Sequence, residues 1–423
     1  MSAQTSGLNI AAHEPLDSRN GVLDRAREHV AATALHDGPI GLVGLELEAH
    51  LVDLDLPARR PTWAQVQHLL ATVPAMPSGS TVTAEPGGQL ELSTPPAPTI
   101  AAAAAALQRD RAELGTALAS TGFGAASIGT DPARPIDVIN RTGRYGAMHR
   151  HFAAVGCGGA GRAMMSSTAA LQVNLDAGPA AGWRERVDHL HRLGPVLTAI
   201  SACSPMLARH ASGWRSMRQQ VWAGLDQGRT APIGPGEPGE AWATYALAAP
   251  VMLVRDPCGR DADPVPSRVS FASWLTGEAK LVRRPTLADL DYHLTTLFPP
   301  VRPRGYLELR YLDAVPDQWW PALAAITAIL ADDPVASDRA AEACEPVADH
   351  WLTAARDGLS DANLRRAAIA CVDISAARCP DELRADVGAY AELVSRGRTP
   401  GDDLHDRISA TDPLRELREQ AHA

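Results

Sequence analysis

The sequence predicts an α+β domain whose strands gather on one chemically active face, with a helical part packed against it. Three observations carry this reading. Four short runs place acidic or amide side chains on alternate residues of otherwise apolar stretches. An Ala-rich helical pattern takes over beyond Trp319 and continues to the last residues. No strong linker and no internal repeat divides the 423 residues, a length that can bury a large core. The chain therefore reads as a single catalytic domain, residues 1–423. Within it are a loose tail (1–16), a catalytic sheet region (41–316) and a helical C-terminal part (317–423).

In chain order, a helix is expected from Asp17 to about Ala34, and the first acidic strand starts near Gly41. Residues 62–73 read as a short helix, and a second strand group runs from Thr81 to Ser93. Thr99 to about Ser120, with six consecutive alanines, has the propensity of a long helix. A strand near Gly124–Gly129 leads into an Arg/Gly-rich loop at Asn140–Met148. The Gln172 strand precedes a helix from about Trp183 to Ser201. The Pro/Gly-rich residues 228–240 read as a loop suited to a lid. His293–Pro300 leads into the Glu308 strand, and Trp319-Trp320 reads as core or interface packing.

The four polar runs are Gly-Leu-Glu-Leu-Glu-Ala-His (Glu46, Glu48, His50), Glu-Pro-Gly-Gly-Gln-Leu-Glu-Leu-Ser (Glu85, Gln89, Glu91), Leu-Gln-Val-Asn-Leu-Asp (Gln172, Asn174, Asp176) and Tyr-Leu-Glu-Leu-Arg (Glu308, Arg310). Successive strand side chains point to opposite faces, so each run has one oily face and one face of oxygen ligands. Solvated surface strands alternate too, but they favour Thr, Lys and Arg, whereas these four carry mostly Glu, Gln and Asn. A face with five carboxylates repels itself unless cations sit among them, and oxygen-only ligation suits Mg²⁺ or Mn²⁺. In enzymes, that combination points to phosphate chemistry.

Composition narrows the field. The net charge is −10 and the basic residues are scattered, which argues against nucleic acid and against an anionic membrane as partners. Lys280 is the only lysine, so no Gly-Lys-Ser/Thr phosphate loop exists, and charge on phosphate must come from metal or Arg. The six cysteines are widely spaced, without a C-x-x-C or zinc pattern. With no signal-peptide pattern and no apolar run of about 18 residues, a reduced, cytoplasmic protein is expected.

Two patterns are set aside. Gly156–Gly161 matches G-x-G-x-x-G, but too few residues follow for the helix, turn and strand of a dinucleotide fold, so a flexible glycine loop is expected. His149, His151, His189 and His191 fit no metalloprotease spacing and read as surface histidines. No G-x-S-x-G anchors a hydrolase triad.

Beyond the acidic strands, Ser216-Met217-Arg218, Trp222, Asp226 and Arg229-Thr230 are followed by Tyr245-Ala246-Leu247 and Phe271-Ala272-Ser273-Trp274-Leu275. Then His293-Leu294-Thr295-Thr296-Leu297-Phe298-Pro299-Pro300-Val301-Arg302 runs into Tyr306-Leu307-Glu308-Leu309-Arg310. In order and approximate spacing this resembles the plant-type glutamate–cysteine ligase family, over roughly Gly41 to Pro316. The Ala/Arg-rich chain is similar to the actinobacterial members that make γ-glutamylcysteine for ergothioneine biosynthesis. The resemblance implies a glutamine-synthetase-like fold: a curved antiparallel sheet with a metal-binding concave face, flanked by helices. It implies ATP, L-glutamate and L-cysteine as substrates, and Mg²⁺, on the order of two or three ions, with Mn²⁺ as an alternative.

On that basis Glu46, Glu48, Glu85, Glu91 and Glu308 are expected to be metal carboxylates, with Gln172 a neutral ligand. Arg310 is the expected catalytic cation on the transferring phosphate, beside Glu308. Arg218 is expected on the glutamate α-carboxylate, Arg144 and Tyr145 at the rim of the amino-acid pocket, and Asn174 and Arg229 on the nucleotide. Three other readings stay open at this stage: a ligase of the same fold using a different amine, a guanidino kinase that forms no amide, and a metal-binding protein without turnover.

Overall fold

The computed structural model describes residues 21–256 and 262–422; the expected tail at 1–16 and Cys258 lie outside the described residues. Seven segments form one antiparallel sheet. They are β1 (Val43–Asp53), β2 (Thr81–Ala84), β3 (Gln89–Ser93), β4 (Phe123–Ala126), β5 (Ala170–Leu175), β6 (Val301–Pro303) and β7 (Leu307–Asp313). Their order is β6-β7-β5-β1-β3-β2, with β4 pairing the far end of β1.

Register is what turns these strands into a site. Glu46 of β1 stands opposite Gln172 of β5, and Glu48 opposite Glu91 of β3. Glu308 of β7 stands opposite Asn174 on one side and Arg302 of β6 on the other. Because alternation has period two, this pairing sends every one of those polar side chains to the same face. The opposite face carries Leu45, Leu47, Leu90, Leu92, Val173, Leu307 and Leu309, each 2% exposed or less.

That apolar face rests on the helices Ile100–Ala119, Trp183–Ser201 and Trp320–Asp332. The last is apolar all round and is buried from Trp320 to Ala331, as such a helix must be. The two tryptophans at its start are core packing, with Trp319 edge-on to Tyr390 at 5.6 Å. From there to His422 the chain is helical, and the final helix, Pro413–His422, returns to the sheet. Among the described residues, no helix is long and apolar enough to cross a membrane.

At the end of β7, buried Asp313 ties three segments together. It accepts from the Cys203 N–H (3.0 Å), Ser204 Oγ (2.6 Å) and Ser216 Oγ (2.8 Å). Ser216 in turn caps the helix Met217–Ala223, its Oγ accepting from the Gln219 N–H at 3.2 Å. Asp313 thereby fixes the helix that carries Arg218 and Trp222 to the seven-stranded sheet.

The structure corrects four expectations. The stretch at 140–148 is not all loop, because the helix Gly143–Ala154 begins within it. Gly158–Ser167 is also a helix rather than a flexible loop. Its Gly161 serves close packing, since a Cβ there would lie 2.6 Å from the Cβ of Phe152. A helix rather than a strand precedes it, so the dinucleotide pattern indeed lacks its context. Within 228–240, Gln227–Thr230 and Pro238–Ala248 are helical. Finally, His151 and His189 are buried, bonded to the carbonyls of Val265 (2.6 Å) and Leu330 (2.8 Å).

Gly194, inside the helix Trp183–Ser201, faces the Trp351 ring so closely that a Cβ would sit 1.9 Å from it. Alanine normally favours a helix over glycine by about 1 kcal/mol, but overpacking costs about 1–3 kcal/mol. Gly194→Ala should therefore lower the midpoint of thermal unfolding; a raised midpoint would show that the helices can part at no cost.

Candidate active site

β1 and β3 bring Glu46, Glu48 and Glu91 together, and the turn between β2 and β3 supplies Glu85. In that turn the Glu85 N–H donates to the Gln89 carbonyl and the Gly88 N–H to the Glu85 carbonyl, both at 2.8 Å. Pro86 follows Glu85 and Gly88 has φ of 86°, the geometry of a type I turn closed by a glycine bulge. A Cβ on Gly87 would lie 2.3 Å from Ser166 Cα, so the turn is clamped against the helix Gly158–Ser167.

A cavity of about 430 Å³ opens over this face. Glu46, Glu48, Glu85 and Glu91 line it at the β1–β3 side, and Glu308 with Arg302, Arg304 and Arg310 at the β6–β7 side. Arg144 and Tyr145 reach it from the first turn of the helix Gly143–Ala154, while Met164, Met165, Trp222 and Phe298 supply apolar wall. Arg144 is held by both the hydroxyl (2.8 Å) and the carbonyl (2.9 Å) of Thr295, with its guanidinium 5.0 Å from the Tyr292 ring centre.

The two sides differ in charge state. Glu48 takes the Ala170 N–H at 2.9 Å and Gln172 Nε2 at 3.3 Å; Glu46 takes Asn174 Nδ2 at 2.9 Å. Glu91 is held by Thr83 Oγ1 at 3.2 Å and Ser93 Oγ at 3.0 Å. Burial first, then the neighbouring charges of Glu85 and Glu91, pushes Glu48 up to about 8. Burial and Glu91 push Glu85 up to about 7, and Glu46 is raised by burial, Glu91 and Glu308. Burial would raise Glu308 as well, but Arg310, Arg302 and Arg304 hold it down at about 2. Arg302 meets Glu308 at 2.5 and 2.8 Å, Arg310 at 3.0 Å and Arg304 at 3.3 Å. Among the described residues, no three acidic, histidine or cysteine side chains converge as one ion's ligand set.

Of the sequence-predicted residues, Glu46, Glu48, Glu85, Glu91, Gln172, Glu308, Arg310, Arg144 and Tyr145 line one cavity. Asn174 sits just off its wall, bonded to Glu46. Arg218 and Arg229 fall elsewhere than expected. Arg218 is 2% exposed beneath β7, donating to the Arg310 carbonyl at 2.8 Å with Asp313 3.9 Å away. Arg229 is fully buried, its two Nη atoms donating to the carbonyls of Thr296 (2.9 Å) and Pro250 (2.7 Å) and its Nε 3.8 Å from Asp226, which makes it a brace between loops. His50 is buried off the cavity and pushed down to about 3 by burial. Asp176 lies past the end of β5, where it accepts from the Leu42 N–H at 2.7 Å.

Arg302 and Arg304 were missed as site residues. The signal was present in Val-Arg-Pro-Arg-Gly-Tyr-Leu-Glu-Leu-Arg, a hairpin whose Gly305 has φ of 80° and whose alternation points Arg302 to the side of Glu308.

A family model described as glutamate–cysteine ligase family 2 matches residues 42–422. This chain belongs to that family. It is 51% identical over 402 residues to the glutamate–cysteine ligase EgtA of Mycolicibacterium smegmatis, across 94% of either chain. With EgtA of Mycobacterium tuberculosis the identity is 49% over 414 residues, 97% of this chain and 95% of the relative. With the chloroplastic glutamate–cysteine ligase of Arabidopsis thaliana it is 30% over 280 residues, 64% of this chain and 52% of the relative. Among solved structures, glutamate–cysteine ligase from Francisella tularensis, in complex with AMP, shares the fold with a TM-score of 0.57 at 14% identity, covering 91% of this chain and 88% of that one.

The raised carboxylates of this family 2 ligase have a consequence for stability. Between the ordinary glutamate value of 4.5 and about 8, folded Glu48 holds a proton that the unfolded chain releases. The folded state binds more protons there, so stability falls as pH rises through that window. For protein free of metal and nucleotide, Glu48→Gln should raise the unfolding midpoint at pH 8 and change it little at pH 5. An equal shift at both pH values would contradict the charge account.

Proposed function

We propose that this protein is an ATP-dependent ligase joining the γ-carboxylate of L-glutamate to the amine of L-cysteine. The products are γ-glutamylcysteine, ADP and phosphate, and the reaction serves ergothioneine biosynthesis in the cytoplasm. The observation that carries the reading is the 51% identity, along 94% of both chains, to a glutamate–cysteine ligase.

The cavity suits that chemistry. A carboxylate is a poor acylating agent, so an oxygen of the glutamate γ-carboxylate first attacks the γ-phosphorus of ATP and ADP departs. The nitrogen of cysteine then attacks the γ-carbonyl carbon, and phosphate leaves with the oxygen that glutamate contributed. Both steps place negative charge where a preorganised cation lowers the barrier most. Arg310, fixed on the floor between Glu308 and Gln172, is our choice for that cation.

Glu46, Glu48, Glu85 and Glu91 would hold Mg²⁺ or Mn²⁺, which when bound neutralises the triphosphate. The fit is supported by their all-oxygen donor set and by the strain that lifts Glu48 to about 8 and Glu85 to about 7. Glu308 was expected among the metal ligands. With three guanidiniums on its two oxygens, it serves better as the anchor that gathers Arg302, Arg304 and Arg310. Arg144, preset by Thr295 and Tyr292, and Tyr145 beside it are assigned to an amino-acid carboxylate at the cavity rim. Asn174 orients Glu46, while Arg218 and Arg229 are left as structural braces.

ADP release from the purified protein with ATP, Mg²⁺ and glutamate should depend on cysteine, and the product should have the mass of γ-glutamylcysteine. Arg310→Ala should lower kcat by about 1,000-fold, the scale of arginines that act on phosphoryl groups. ADP formation that ignores cysteine and follows another amine would move the substrate; none with any amine would overturn the proposal.

A further inference from the structure

Gln172 stands where the two charged halves of the cavity meet. It is 2% exposed, on β5, with Glu46 as its cross-strand partner. Its Oε1 accepts from Arg310 Nη1 at 2.6 Å, and its Nε2 donates to Glu48 Oε1 at 3.3 Å. The amide has little choice of orientation, because a guanidinium can only donate, which commits Oε1 to Arg310 and leaves Nε2 for Glu48. On its other flank Arg310 reaches Glu308 at 3.0 Å, and its guanidinium lies 5.9 Å from the Trp222 ring and 5.8 Å from Phe298. Gln172 is thus the link that draws this cation toward the carboxylates of β1.

We infer that Gln172 is a positioning residue, which sets the guanidinium of Arg310 against the carboxylate side of the cavity. The inference rests on the ligase reading above. The demands of its two neighbours select the residue type. Glutamate would accept from Arg310 but take away the N–H that Glu48 accepts, lysine would donate to Glu48 but repel Arg310, and leucine would serve neither. Asn174, two residues along the same strand, is the contrast. Its Nδ2 donates to Glu46 at 2.9 Å while its Oδ1 has no partner, so it orients a carboxylate without coupling it to a cation.

A double-mutant cycle of Gln172→Leu and Arg310→Lys in the full-length protein tests this, read as kcat with ATP, Mg²⁺, glutamate and cysteine. Gln172→Leu should lower kcat by about 100-fold, the cost of misplacing a catalytic group by about 1 Å, with KM for glutamate and ATP nearly unchanged. The double variant should be no slower than Arg310→Lys alone. Unfolding midpoints of the same set, without metal or nucleotide, should be non-additive as well. Multiplying losses in kcat, or wild-type kcat in Gln172→Leu, would overturn the inference. Should the leucine variant not fold, Gln172→Met decides by the same two readouts. Absence of γ-glutamylcysteine synthesis in the wild type would instead sink the ligase reading, and the unfolding cycle would still judge the Gln172–Arg310 contact.

Discussion

Carboxylates crowded on one sheet face are the constraint from which the rest of the molecule follows. Glu48 stands directly across from Glu91 in the β1–β3 ladder, an arrangement of like charges that by itself weakens a sheet. Burial makes it worse, because water cannot screen the pair. The chain answers with donors from the same sheet and its borders: Ala170 N–H, Gln172, Asn174, Thr83 and Ser93 each reach one of these carboxylates. It answers again by placing Arg302 and Arg310 on the strands beyond β5, with Arg304 in the turn between them. The outcome is a cavity divided between proton-hungry carboxylates and fixed guanidiniums, a division that suits moving a phosphoryl group between two anions.

Holding such a face together requires stiffness behind and around it. The apolar side of the sheet is sealed by the helices Ile100–Ala119, Trp183–Ser201 and Trp320–Asp332. Asp313 then bolts the end of β7 to the segment at 203–204 and to the cap of the helix bearing Trp222. At the opposite edge, the clearance at Gly87 presses the Glu85 turn onto the helix below it. The functional side chains are therefore borne by strands, a tight turn and helix starts, and the longer connections serve elsewhere.

Much of this was legible in the sequence because strand alternation is a local signal. Glu46 and Glu48, Glu91, Gln172, and Glu308 with Arg310 could be assigned to one polar face before any pairing was known, and the register places them there. Arg218 and Arg229 lie off the cavity's lining, which the sequence could not show. Arginine is equally suited to binding an anion and to bracing carbonyls, and only the fold reveals that Arg229 is fully enclosed. The glycines at 158–161 misled as well, since a glycine kept for close helix packing against Phe152 looks the same in sequence as one kept for flexibility. Histidines 151 and 189 went unrecognised as core because their partners are backbone carbonyls more than 100 residues away.

In the proposed reaction, glutamate is activated through its own oxygen before cysteine attacks. Glutamate labelled with ¹⁸O in the γ-carboxylate tests it most directly, with the phosphate released during turnover analysed by mass. Transfer of one labelled oxygen from glutamate into phosphate is the predicted result. Unlabelled phosphate, released alongside γ-glutamylcysteine, would contradict it.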